Sequence, residues 1–140
     1  MNLTPDLATC NYRSMTPELG VPISTSVGKP RGWHGNKEKG IPTKPYLNSI
    51  APWGVFNHRP AYCEGEFRRL YAERLEAKAD EIDAGIERYS LEYPGQRLVL
   101  LCWCTVTHLD DYCHRRMAAR WLEARYGIEV PELALEAGPR

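Results

Sequence analysis

The sequence predicts a small single α/β domain, with a mostly parallel, Rossmann-like sheet of about three to four strands flanked by helices. Three observations predict it. Residues 98–104, Leu-Val-Leu-Leu-Cys-Trp-Cys, form an unbroken apolar run bounded by polar residues, which suits a strand buried on both faces. Earlier, Val21, Ile23, Thr25 and Val27 alternate with Pro22, Ser24 and Ser26, a period of two in β-branched residues. Stretches of helical periodicity lie between these segments and after them, so strands and helices alternate along the chain.

Taken in order, residues 7–13 read as a further short strand and 21–27 as a strand with one buried face. Pro22 has no N–H to give a ladder and places the second strand near an edge or a strand end. Residues 28–40 are a Gly/Lys-rich loop. Residues 41–62 combine prolines with Tyr46, Trp53, Phe56 and Tyr62. Disordered segments are poor in aromatics, so this stretch reads as a long ordered cover loop. From Glu64, the residues Phe67, Leu70, Tyr71, Leu75, Ile82, Ile86 and Tyr89 share one helical stripe. A single helix of that length is unusual in a small domain, so a break is expected between Lys78 and Gly85. Pro94-Gly95 ends the segment. After the apolar strand and a loop over 105–112, Met117, Ala118, Trp121 and Leu122 form the stripe of a last helix. Asp110 or Asp111 is positioned to cap its start, and Gly127 to close its end. Residues 128–133 add a short edge strand. A right-handed crossover carries the chain from the second strand to the apolar one.

The chain's 140 residues suffice for one domain with a sizeable core. Hydrophobic content of 43% and charged content of 26% are those of a soluble globular protein. A formal net charge of zero provides no global field toward nucleic acid or an anionic membrane, so anion binding must come from a local cluster. Neither a signal-like segment nor a membrane-length apolar run is present, and no membrane partner is expected. The expected location is the cytoplasm, where cysteines stay as thiols, ligands or small core residues. The count of five cysteines also forbids complete internal pairing.

Chemistry concentrates between Cys102 and Arg116. Cys102, Cys104 and Cys113 lie there with His114, Arg115 and Arg116, where the apolar strand gives way to a loop and a helix. In parallel α/β sheets, ligands sit beyond the carboxyl ends of the strands. If the strands at 21–27 and 98–104 are parallel neighbours, their following loops converge there.

Three readings of this corner follow. In the first, the helix N-terminus binds an anion. Arg115 and Arg116 lie in the first turn, where cations disfavour the helix unless an anion is close. Lys29 and Arg31 on the other loop, with Ser24 and Ser26 on one face of their strand, complete the ligand-binding set. The bland counterpart pairs one arginine with Asp110, Asp111 or Glu123. In the second reading, Cys113 is a nucleophilic thiolate and His114, or His108, its base. The arginine spacing of phosphatase-type cysteine loops is absent: Ala119, Asp110 and His108 stand where it would fall after Cys113, Cys104 and Cys102. In the third, Cys102, Cys104, Cys113 and His114 are a zinc-type ligand set. Against it, paired Cys-x-x-Cys knuckles are missing, and adjacent residues on a helix point about 100 degrees apart. No metal is therefore expected, and the cofactor is open. The Gly28-Lys29-Pro30-Arg31-Gly32 loop is not a P-loop, because it lacks the terminal Gly-Lys-Ser/Thr.

These segments resemble the bacterial and phage family known as domain of unknown function 488. The apolar strand ending in Cys102, the polar loop and Cys113-His114-Arg115 opening a helix with Ala118-Ala119 carry the resemblance. The segments Ile23-Ser24-Thr25-Ser26-Val27-Gly28-Lys29-Pro30, Ala51-Pro52-Trp53-Gly54 and Val130-Pro131-Glu132-Leu133 look like the version found in actinobacterial tailed phages. The likeness spans about residues 20–133. Many members carry an acid two positions after the first cysteine; here Cys104 stands in that place. The resemblance implies a small α/β fold and a site at the Cys-His-Arg corner, and no reaction. The expected function is an enzyme or binding protein for a phosphate-bearing ligand, a nucleotide or nucleic-acid end. Cys113 and His114 would stand at the reacting position. The alternatives are an adaptor that binds a host protein through the 41–62 segment and a zinc-stabilised structural module.

Overall fold

A computed structural model describes residues 4–25, 46–47, 49–52, 64–102 and 113–134. It contains three strands, β1 (Leu7–Asn11), β2 (Val21–Ser24) and β3 (Leu98–Cys102). Its α-helices are α1 (Glu64–Ala77), α2 (Ala79–Glu92) and α3 (His114–Tyr126), with one 3-10 turn at Pro17–Leu19. The strands form one parallel sheet in the order β1-β3-β2. The α/β class and parallel sheet read from the sequence are therefore the fold of the described chain.

Every residue of β3 is buried, as its unbroken apolar run requires of a central strand. Leu98 and Leu100 face a core shared with Phe67, Tyr71 and Leu75 of α1, Ile82, Ile86 and Tyr89 of α2, and Ala118, Ala119 and Leu122 of α3. Val99 and Leu101 face the other side, where Cys10, Tyr12, Met15 and Ala134 cover them. The three helices thus serve one face of the sheet, and short connecting segments close the other. β2 is an edge of the three-stranded sheet, which tolerates Pro22. A single parallel bridge joins Ser24 to Tyr46 beyond that edge.

The helical stripe that begins at Glu64 breaks at Lys78, the first residue of the expected interval. Lys78 takes φ −101° and ψ 10°, and α2 restarts behind it. Leu47 and Ile50 of the Pro/aromatic stretch enter the core. Tyr71 Oη donates to the Ile50 carbonyl at 2.5 Å, and Arg74 Nε to the Ala51 carbonyl at 2.7 Å. Trp53, Phe56 and Tyr62 lie outside the described residues.

Two details depart from expectation. The N-cap of α3 is Cys113, with extended backbone (φ −152°, ψ 133°) and no side-chain capping bond. Asp110 and Asp111, expected as caps, lie outside the described residues. The edge strand expected over 128–133 reduces to one parallel bridge between Thr9 and Glu132. Its backbone bonds are Thr9 N–H to Pro131 O at 2.8 Å and Leu133 N–H to Thr9 O at 2.7 Å. Pro131 has no N–H, which limits any longer ladder. Gly127 ends α3 at φ 65°, its N–H returning to the Glu123 carbonyl, as expected. Gly20 is required for a different reason: φ is 139°, and a Cβ there would run into the Arg97 carbonyl oxygen.

Candidate functional site

β2 and β3 are parallel neighbours, so the segments that follow them leave from the same end of the sheet. Thr25, just past β2, receives the ladder by donating N–H to the Leu101 carbonyl at 3.0 Å. Its carbonyl lies 3.0 Å from His114 Nε2 at the start of α3. Cys102, the last residue of β3, and Cys113, the cap of α3, meet there with their Sγ atoms 3.3 Å apart. Ligand atoms of Cys102, Cys113 and His114 all lie within 4.8 Å of one another. The three residues are only 1%, 4% and 7% exposed.

The arginines complete the corner from below. Arg115 donates Nε and Nη2 to the two carboxylate oxygens of Glu132, at 2.9 and 3.0 Å. Its remaining terminal nitrogen, Nη1, is 3.0 Å from Cys102 Sγ and 3.9 Å from Cys113 Sγ. Glu132 also accepts from the Thr9 hydroxyl at 2.7 Å and from the Ala134 N–H at 3.1 Å. Arg116 donates Nη1 to the Thr9 oxygen at 2.7 Å and to the Val130 carbonyl at 3.0 Å. The anion that arginines in the first turn of α3 demand is thus supplied within the chain, by Glu132. Arg115 and Arg116 were expected to hold an exogenous ligand. Their side chains are buried and bonded to Glu132, Cys102, Thr9 and the 130–134 segment, which they fasten to β1.

Burial dominates the electrostatics of the corner. It holds the His114 imidazole below its ordinary pKa, against the opposing influence of Cys102 and the Thr25 carbonyl. His114 is therefore neutral at pH 7. A neutral ring that donates Nε2–H to the Thr25 carbonyl keeps its lone pair on Nδ1. The Tyr71 ring stands edge-on to His114, with centroids 6.0 Å apart and an interplanar angle of 89°. Burial raises the Tyr71 phenol well above its ordinary range, so it stays a donor to Ile50.

Asn11 lies beside Cys102 as its register partner on the same face of the sheet. Its Oδ1 accepts the Ser14 N–H at 2.7 Å. Its Nδ2 is buried and has no partner among the described residues. Buried donors without partners are rare in folded proteins.

Of the expected site residues, Cys102, Cys113, His114, Arg115 and Arg116 come together. Ser24 does not join them: the strand alternation turns it to the opposite face, where it hydrogen-bonds Tyr12. Ser26, Lys29, Arg31, Cys104 and His108 lie outside the described residues. Glu132, Thr9, Asn11 and Thr25 were not singled out from the sequence. Glu132 and Thr25 carried a signal, as parts of the Val130-Pro131-Glu132-Leu133 segment and of residues 23–30; Thr9 and Asn11 carried none. Comparison with known protein families, with curated proteins and with solved structures finds no match.

Proposed function

We propose that this chain is an enzyme whose reacting groups are Cys102, Cys113 and His114, acting on a phosphate-bearing ligand such as a nucleotide or nucleic-acid end. The observation that carries the reading is the contact between Thr25 and His114. Thr25 leaves the sheet at the same end as the thiol pair, and in sequence it leads to Lys29 and Arg31. Ligands of parallel α/β sheets sit at such ends. The N-terminus of α3, with no side-chain capping bond, adds the positive end of a helix dipole. In this reading Lys29 and Arg31 contact the phosphate, while Arg115 and Arg116 hold the corner in shape. The resemblance read from the sequence to the domain of unknown function 488 family, which no family match backs, would put the site at the same location and is neutral on the reaction.

The test is thermal stabilisation and calorimetric titration with nucleoside mono-, di- and triphosphates and with 5′-phosphorylated oligonucleotides. At least one class is expected to raise Tm, with no effect of the matching phosphate-free nucleoside. The Lys29→Ala/Arg31→Ala double variant should bind that ligand about tenfold more weakly or worse. No response to any phosphate ligand would sink the reading.

A further inference from the structure

We propose that Cys102, Cys113 and His114 bind one thiophilic divalent metal ion of the zinc class. The proposal takes from the preceding section only the location of the corner, and it does not depend on a phosphate ligand.

The donor chemistry is the first argument. Two thiols and one imidazole are the borderline-soft set that zinc prefers. Distances are the second. A tetrahedral zinc with Zn–S near 2.3 Å and Zn–N near 2.0–2.1 Å sets its ligand atoms about 3.5–3.8 Å apart. The two sulfurs are 3.3 Å apart, and all three donors lie within 4.8 Å, so adjustments of about an ångström admit the ion. The sequence-level objection, that neighbours on a helix diverge, does not hold here. Cys113 is the extended N-cap and only His114 is helical, so consecutive residues reach one point.

Surrounding groups fit a metal as well. Metal-bound histidines characteristically donate their other ring N–H to a carbonyl or carboxylate, and the Thr25 carbonyl stands 3.0 Å from His114 Nε2. With Nε2 so engaged, Nδ1 is the nitrogen left to ligate, the 4.8 Å limit being met by one of the two ring nitrogens. Two thiolates and a divalent ion sum to zero charge, and the adjoining Arg115–Glu132 pair is neutral, so loading adds no net charge to this buried set. The Arg115 N–H at 3.0 Å from Cys102 Sγ stabilises the deprotonated ligand. Three protein ligands leave a fourth position, as catalytic zinc sites do. Asn11 is the strand neighbour of Cys102, and its buried Nδ2, without a partner among the described residues, is a donor available to a water or an anionic oxygen bound there.

The experiment is native against denatured mass spectrometry of the full chain, produced with added zinc chloride. The expected result is an excess of one zinc in the native form, kept by Cys10→Ser and lost from Cys102→Ser, Cys113→Ser and His114→Gln. Cobalt(II) replacement in the wild-type chain gives a second readout if those variants do not fold: thiolate-to-cobalt absorption is expected. Equal masses for folded, zinc-supplemented protein would overturn the proposal. So would zinc retained by both serine variants, a Cys102–Cys113 disulfide in the reduced preparation, or cobalt without thiolate absorption. A chain that holds zinc yet ignores every phosphate ligand would sink the previous reading and leave this one. Phosphate binding by a chain that takes no metal would do the reverse.

Discussion

Two of the arginine–carboxylate pairs on helix α3, Arg115–Glu132 and Arg125–Asp83, have nearly the same geometry and opposite surroundings. Near its start, Arg115 grips Glu132 through two bonds, with both side chains fully buried. Near its end, Arg125 grips Asp83 of α2 through two bonds at 2.8 and 2.6 Å, with side chains 31% and 37% exposed. Tyr126 also hydrogen-bonds Asp83. Water can replace either partner of the outer pair. Nothing comparable replaces Glu132, which fastens the 130–134 segment to β1 and orients the guanidinium at Cys102. The same chemical pairing is therefore a surface tie in one place and the foundation of a site in the other. Desolvation makes the difference.

The largest expected effect is from Glu132→Ala, which leaves the Arg115 cation buried without its carboxylate. It should cost about 3–5 kcal/mol in urea unfolding. A loss below about 1 kcal/mol would mean that the two pairs are equivalent. The double change Arg115→Met/Glu132→Leu sharpens the point. Removing both charges should restore much of the lost stability while leaving the thiols without their donor. Next, Thr9→Val deletes the hydroxyl between Arg116 and Glu132 and should cost about 1–3 kcal/mol. Asp83→Ala at the outer pair should cost about 0.2–1 kcal/mol, shrinking further in salt.

Acid should separate the two regions in the metal-free protein. His114 is held below its ordinary pKa by burial, so the unfolded chain binds the extra proton first. Stability should begin to fall below about pH 6.5 and continue down to the folded-state pKa. His114→Gln should remove this limb. The Asp83 carboxyl is held low by its bonds from Arg125 and Tyr126, so its contribution is intact above pH ~4 and fades only below. Stability curves from pH 8 to pH 3 that show one limb, unchanged by His114→Gln, would contradict this assignment. The smallest effect concerns Cys10. Burial chiefly, with Glu132 adding, pushes its thiol up to about 11, so iodoacetamide should leave it unmodified in native protein at pH 8.

Legibility varied with the range of the interaction. β3 was readable because five consecutive apolar side chains have few alternatives to a doubly covered strand. The break at Lys78 and the cap at Gly127 were readable from helix length and glycine's left-handed freedom, both local. The corner was visible as a cluster of reactive residue types between Cys102 and Arg116. The partner of Arg115 was not. Asp110, Asp111 and Glu123 were nearer in sequence, but Glu132 reaches it because the 130–134 segment runs along β1. The face on which Ser24 lies was not legible, because alternation along a strand says which residues share a face, not which face meets the helices.

By itself, the sequence determined the parallel α/β class, the helical stripes and the place where thiols, imidazole and guanidinium groups concentrate. Those features follow from periodicity and backbone preference, which act over a few residues. Only the tertiary structure decided that the first-turn arginines face inward to Glu132 and that Cys102, Cys113 and His114 share one point. It alone set Thr25 and Asn11 beside them. Each of these depends on which strands are neighbours and on the burial of charge, and neither is encoded in the spacing of residues along the chain.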